Sequence, residues 1–270
     1  MKYLLLAPAV ILCVIFTLWP MAEVVSMSMQ KMHILGDTFV GLKNYARLLT
    51  DRAFLQSLLN SLWYTALAIP MQIGLALVIT MSATGLSKRW QDTTRFVFFI
   101  PTMAAGIIIA SVWEWIFHRD GPVNWLMGTK FDFFTQSITA IPAISIVNAV
   151  SGIGAMVIML LASTLTVNRE LYDAARIDGA TDRQIKWRIV LPIIMPMVWI
   201  CVLLAAIGAP QVIEYVIALA PYQHSATVAF NIYTEAFILG RYGPAAAKAM
   251  ILLVWMVALA WGKTRITREA

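Results

Sequence analysis

The only run in this chain that spells part of a nucleotide-binding loop is Gly262, Lys263 and Thr264. Such a loop wraps phosphates in backbone N–H groups and needs another glycine five residues earlier, where this chain has Val257. No strand is expected before it, so Lys263 reads as a lysine at a membrane exit, and the chain is not expected to hydrolyse anything by itself. The G-x-S-x-G and H-E-x-x-H spacings are absent from the sequence, and its apolar runs carry no aspartate. Those absences argue against intramembrane protease chemistry. Cys13 and Cys201 each lie in an apolar run without a partner at metal-ligand spacing, and His33, His118 and His224 are scattered over connections. Neither a disulfide framework nor a zinc site is expected. What remains is a set of polar groups inside apolar segments, each costly against hydrocarbon and therefore facing protein or water. Asn148 and Ser151 sit in one such segment, and Gln211, Glu214 and Tyr215 in another. Two readings are open for them: the lining of a solute path, or interhelical hydrogen bonds. Glu23 and Glu114 lie near the ends of apolar runs, where a carboxylate can reach the interface.

The segments that must hold these groups are membrane spans. The chain has 270 residues, 60% hydrophobic and 13% charged, with a mean hydropathy of +0.77; a soluble domain has about a quarter of its residues charged. The net charge of +6 is explained by lysine and arginine enriched on the cytoplasmic side, so no nucleic-acid partner is implied. The run after Lys2 continues to about residue 29, interrupted only by Glu23, which is too long for a cleaved signal and is expected to stay as an anchor. A core of about 30 Å needs about 20 apolar residues. The expectation is one membrane domain over 1–270, with spans near 3–29, 55–84, 96–117, 138–167, 193–219 and 245–262. Six spans put both termini in the cytoplasm, and twelve of the twenty lysines and arginines then fall on that side. Lys248 is counted with the outer eight. The small residues Gly152, Gly154 and Ala155 suggest close helix packing rather than a hinge, and Pro20 is a candidate kink.

One stretch between spans, 168–196, is dense in charge. Asn168 can cap a short helix, with Glu170 where the helix dipole favours an anion. Leu171, Ala174, Ala175 and Asp178 share one face. Gly179 suits a left-handed turn. Thr181 and Gln184 form a T-x-x-Q capping box that opens a second helix, expected to end or kink at Pro192 because proline disfavours the α conformation of Leu191. A helix pair this small cannot bury a core of its own. It is either a solvated basic loop that sets orientation or a docking element for a soluble partner.

Asp173, Ala174 and Ala175, three residues, Gly179, nine residues, then Ile189, Leu191 and Pro192 stand at the spacing of the cytoplasmic EAA loop. This pattern resembles the permease subunits of bacterial binding-protein-dependent ABC importers; only Asp173 departs, replacing glutamate and keeping its charge. I-D-G-A at 177–180 is similar to the carbohydrate-uptake (maltose and glycerol-phosphate) branch in particular. So are FVGLKNYARLL at 39–49, FFIP at 98–101, W-E-W at 113–115, the turn from His118 to Gly128, and QVIEYVIAL at 211–219, where Glu214 lies near an acidic position of the family. The outer segment 220–243 resembles the family too, but its usual G-G-P is replaced around Ala220, Pro221 and Tyr222.

The resemblance implies an all-α, six-span, type I importer permease in the bacterial cytoplasmic (inner) membrane. It would pair with a second homologous permease, two ATP-binding cassette subunits and an extracytoplasmic solute-binding protein, with ATP and Mg held by the ATPase subunits and no cofactor here. Asp173, Ala174, Ala175, Gly179, Ile189, Leu191 and Pro192 would couple to the ATPase. Asn148, Ser151, Gln211, Glu214 and Tyr215 would line the pathway for a sugar or sugar-like solute. The alternatives are an importer permease for amino acids, peptides or phosphate, or a secondary transporter working alone.

Overall fold

The computed structural model describes residues 2–31 and 38–266. His33 and the final four residues, 267–270, lie outside the described residues. In chain order come α1 (Leu6–Ser28), a small hairpin of β1 (Gln30–Lys31) and β2 (Thr38–Phe39), α2 (Lys43–Leu48), α3 (Arg52–Ala83), α4 (Lys88–Met103), α5 (Gly106–Phe117) and α6 (Pro122–Met127). Then follow α7 (Ser137–Ser151), α8 (Ile153–Thr164) and α9 (Arg169–Ile177), and α10 (Asp182–Gln211). The described chain closes with α11 (Glu214–Leu219), α12 (Val228–Ile238) and α13 (Tyr242–Ile266). In hydrocarbon each backbone N–H and C=O must be paired within its own segment, so apolar runs of this length become helices. Among the described residues α1, α3, α10 and α13 are each long and apolar enough to cross a bilayer; the pairs α4–α5 and α7–α8 add two more if each bent pair is one crossing. The molecule is an all-α multi-pass membrane protein.

Its central element is α3. Asp51 caps it by accepting from the N–H groups of Ala53 and Phe54 at 2.9 and 3.3 Å. Ser57, Ser61, Tyr64, Ala68, Gln72, Ala76 and Thr80 recur every three or four residues and are buried, forming a stripe of mostly small and polar side chains. Without a hydrophobic force between helices in lipid, such stripes let backbones approach and pack. Here α7 and α8 lie along it. At the first end of α3 the Asn60 amide donates to the carbonyls of His224 and Ala226, each at 2.9 Å, while the Ser61 hydroxyl accepts from the Val228 N–H. Those bonds tie the segment between α11 and α12 to a span. α1 is the opposite case: its apolar window has no buried residue, and Leu12, Phe16 and Trp19 all face outward. Lipid or another subunit must cover it.

Several expected boundaries change. The third span is not a single rod over 96–117: α4 begins at Lys88 and meets α5 at a 98° bend across residues 104–105. Ala104 and Ala105 are extended, shortly after Pro101, which has no N–H to donate. The fourth is bent by 46° between α7 and α8, at Gly152. The small-residue patch therefore does two jobs: Gly152 sits at the bend, while a side chain at Gly154 would run into the Phe98 carbonyl of α4, so packing there requires glycine.

The fifth span does not run over 193–219. α10 starts at Asp182 and ends at Gln211, and Glu214 opens the separate helix α11. Nor does the helix stop at Pro192. Leu191 is helical at φ −57° and ψ −47°, and a π turn over Lys186–Val190 precedes it, with the Leu191 N–H reaching the Lys186 carbonyl. Widening the turn by one residue lets the chain take proline without breaking. Pro20 likewise follows a π turn, at Val14–Leu18, inside a continuous α1. The last helix begins at Tyr242 and extends to Ile266, so Gly262, Lys263 and Thr264 lie in a helix rather than a phosphate loop. Lys248, counted with the outer lysines and arginines, is buried against protein within that helix.

Candidate functional site

The charged stretch 168–192 folds from local signals. The Asn168 side chain accepts from the Glu170 N–H at 3.2 Å. α9 ends at Ile177 with Asp178 as its C-cap, and Gly179 takes φ +78°, which costs a residue with a β-carbon about 1–2 kcal/mol. The Gly179 and Ala180 N–H groups close the turn on the Arg176 and Ala175 carbonyls at 3.1 and 2.9 Å. Both halves of the Thr181–Gln184 capping box are formed. One face of this unit is seated on the protein: Ala175, Ile185 and Val190 belong to a buried cluster with Leu160, Leu161 and Ile194, and Tyr172 packs against it. Burial pushes the Tyr172 phenol above its ordinary pKa. The other face is open. Asp173 and Ala174 are exposed and Ile177 is 86% exposed.

The two neighbouring alanines therefore play different parts: Ala175 lets α9 approach its own bundle, and Ala174 leaves a flat outer surface. Ile189 and Leu191 are half-buried, in and just after the π turn, and Pro192 is exposed.

The polar residues expected along a pathway gather where helices break. Ser151 is buried at the end of α7, beside the Tyr215 hydroxyl. Glu214, exposed, sets its carboxylate against Gly106, the first residue of α5, in the space a side chain there would need. That position suits an anion, because the N-terminus of a helix carries unpaired N–H groups and partial positive charge. Gln211, also exposed, folds its amide back onto the Ile207 carbonyl at 2.8 Å. Asn148 is half-buried one turn before Ser151, and its carbonyl accepts from the Gly152 N–H at 2.8 Å. The bends at 104–105 and 152 and the end of α10 thus lie around one layer, with Ser151, Tyr215 and Glu214 in it.

Two residues of that layer escape sequence reading. The Gln72 amide lies against Gly152, and the buried Tyr64 hydroxyl has no hydrogen-bond partner among the described residues. Both sit on the buried stripe of α3, whose period singles out the face but not the layer. A third omission is larger. The Lys248 ammonium donates to Asn231 Oδ1 at 2.6 Å and Glu235 Oε2 at 2.8 Å, with Asp51 at 4.0 Å and the Phe54 ring centre at 5.9 Å. Its side chain is 2% exposed. A buried cation needs partners of this kind, and here they join α3, α12 and α13.

Comparisons with known proteins agree with this architecture. Residues 51–268 match the family described as binding-protein-dependent transport system inner membrane component. The inner membrane ABC transporter permease protein YcjO of Escherichia coli is 30% identical over 268 residues, covering 95% of this chain and 90% of that protein. The sn-glycerol-3-phosphate transport system permease protein UgpA of Agrobacterium fabrum is 26% identical over 269 residues, covering 96% and 92%. In fold, the chain superposes with a TM-score of 0.83, over 99% of its length and 94% of the other chain, on a crystal structure of a bacterial alginate ABC transporter in complex with alginate pentasaccharide-bound periplasmic protein, at 24% identity. Among the described residues no group of three histidine, cysteine or acidic side chains could hold a metal ion. The chain belongs to the binding-protein-dependent transport system inner membrane component family, and is an ABC importer permease with the type I membrane-spanning fold.

Proposed function

We propose that this chain forms half of the translocation pathway of an ATP-driven importer for a sugar or sugar-like solute, and that 168–192 is seated in a separate ATPase subunit. One observation carries the coupling: α10 runs unbroken over 30 residues from Asp182, beside the Gly179 turn, to Gln211, at the polar layer. At 1.5 Å per residue that is a rod of about 45 Å. Movement of the exposed face of α9 is delivered along it to the place where Ser151, Tyr215 and Glu214 meet. ATP on the partner subunits closes them, and the differential grip of the closed pair on α9 shifts the bundle between inward-open and outward-open populations.

In this reading Asp173 pairs with a basic or N–H group of the ATPase, Ala174 allows close approach, and Ala175, Ile189 and Leu191 hold the turn to the bundle. Pro192 keeps its place in α10 through the π turn. Asn148, Ser151, Gln211, Glu214 and Tyr215 line the path on this half, and a second homologous permease supplies the other. An extracytoplasmic binding protein delivers the solute, and both termini are cytoplasmic. The sugar-like class is supported by a relative named for sn-glycerol-3-phosphate transport and by the I-D-G-A run at 177–180. The test is Gly179→Leu in the assembled, reconstituted transporter. The variant inserts and assembles, and solute-stimulated ATP hydrolysis falls at least tenfold; normal stimulation would remove the coupling role.

A further inference from the structure

At the end of α3 remote from the 168–192 turn, a cleft of about 1020 Å³ opens between the β1–β2 hairpin, α2 and the start of α13. Four cations line it, Lys31, Lys43, Arg47 and Arg241, and no carboxylate does among the described residues. Arg241 is balanced from the side by Glu235 at 3.6 Å. Lys31, Lys43 and Arg47 have no ion pair among the described residues, and all three are exposed. The walls are fixed rather than loose. Asn44 donates to the Ser28 and Gln30 carbonyls at 2.8 and 2.9 Å, the Tyr45 hydroxyl to Ser28 Oγ at 2.7 Å, and Gly243 packs directly on the Gln30 carbonyl.

Depth in the bilayer follows from the flanking helices. α1 ends at Ser28 and α13 begins at Tyr242, so two spans terminate at the cleft and place it at headgroup level. Beside the cations on the same short segment, Phe39, Leu42 and Leu49 are 76, 68 and 75% exposed. Apolar side chains next to cations that have no ion pair among the described residues, at a span end, match an interface with acyl chains on one side and phosphates on the other. Lys43 and Arg47, four apart on α2, project from one face.

We propose that this cleft holds the phosphate headgroup of an anionic glycerophospholipid, with Lys43 and Arg47 as its main charge partners and Phe39, Leu42 and Leu49 against the acyl chains. Each surface cation adds attraction to an anionic lipid, and a rigid cleft turns that attraction into a site. The experiment measures the unfolding midpoint of the full-length purified protein in detergent with added phosphatidylglycerol, phosphatidylcholine of the same chain length, or inorganic phosphate. Wild type gains roughly 3–8 °C from phosphatidylglycerol and little from the other two. The Lys43→Gln, Arg47→Gln double variant keeps its lipid-free midpoint and loses most of the gain. An Arg119→Gln control, an exposed cation elsewhere, keeps it. An equal gain from phosphatidylcholine, an equal gain from inorganic phosphate, or a gain the double variant retains would each overturn the proposal. So would a wild type that phosphatidylglycerol leaves unchanged, which would leave the cleft to an acidic protein surface.

Discussion

The two ends of α3 are built in opposite ways. Near Ala83 lies the 168–192 unit, made of bonds between residues two to five apart, with one face on the bundle and the other open. Near Arg52, contacts reach far along the chain: Asn60 holds residues 224 and 226, Ser61 holds 228, and Lys248 gathers Asn231, Glu235 and Asp51. A unit with its own caps keeps its shape while it is pushed, and an end stitched across three helices resists being pulled apart. The difference separates a part shaped to be moved from a part that braces.

Breaking the brace therefore costs stability, and breaking the lever costs coupling. The largest effect on stability is expected from Lys248→Met, which leaves Glu235, whose side chain is 15% exposed, with the more distant and exposed Arg241 guanidinium at 3.6 Å in place of its buried cation. Removing one partner of a buried pair costs about 3–5 kcal/mol, which appears as a much lower unfolding midpoint of the purified protein. Adding Glu235→Gln to that variant recovers more than half of the loss, since the charge left without its buried cation is gone. A fully additive double variant would show that the two side chains do not act as a pair. At the other end Thr181→Ala removes half of the capping box. It is expected to lower stability by only about 1 kcal/mol while reducing solute-stimulated ATP hydrolysis severalfold. If Thr181→Ala costs as much stability as Lys248→Met and leaves coupling unchanged, the contrast between the two ends fails.

The same contrast explains what can be read from the chain alone. Asn168, Gly179 and the Thr181–Gln184 box are legible because each acts on backbone within a few residues. Pro192 misleads because its local rule is right about the missing donor but blind to the π turn at Lys186–Val190 that accommodates it. Lys248 misleads for another reason. A lysine close to a span end normally reaches water, and the residues that bury this one are contributed by α3 and α12, which no spacing rule connects to it. The bend at 104–105 has Pro101 as its only local sign, and its angle is set by the two different surfaces that α4 and α5 pack upon, α8 and α11. Ser151, Glu214 and Tyr215 can be picked out as polar groups in apolar runs, but their meeting depends on three helix interruptions whose geometry is tertiary.

The most direct test of the lever is a cysteine at Ile177, the most exposed large hydrophobic side chain on α9, in the assembled transporter with Cys13 changed to serine. A short bifunctional reagent should join Ile177→Cys to the ATPase subunit in high yield, and labelling in intact cells by an impermeant thiol reagent should be absent. Labelling from outside, or no cross-link to the ATPase in an assembled complex that hydrolyses ATP, would contradict the account.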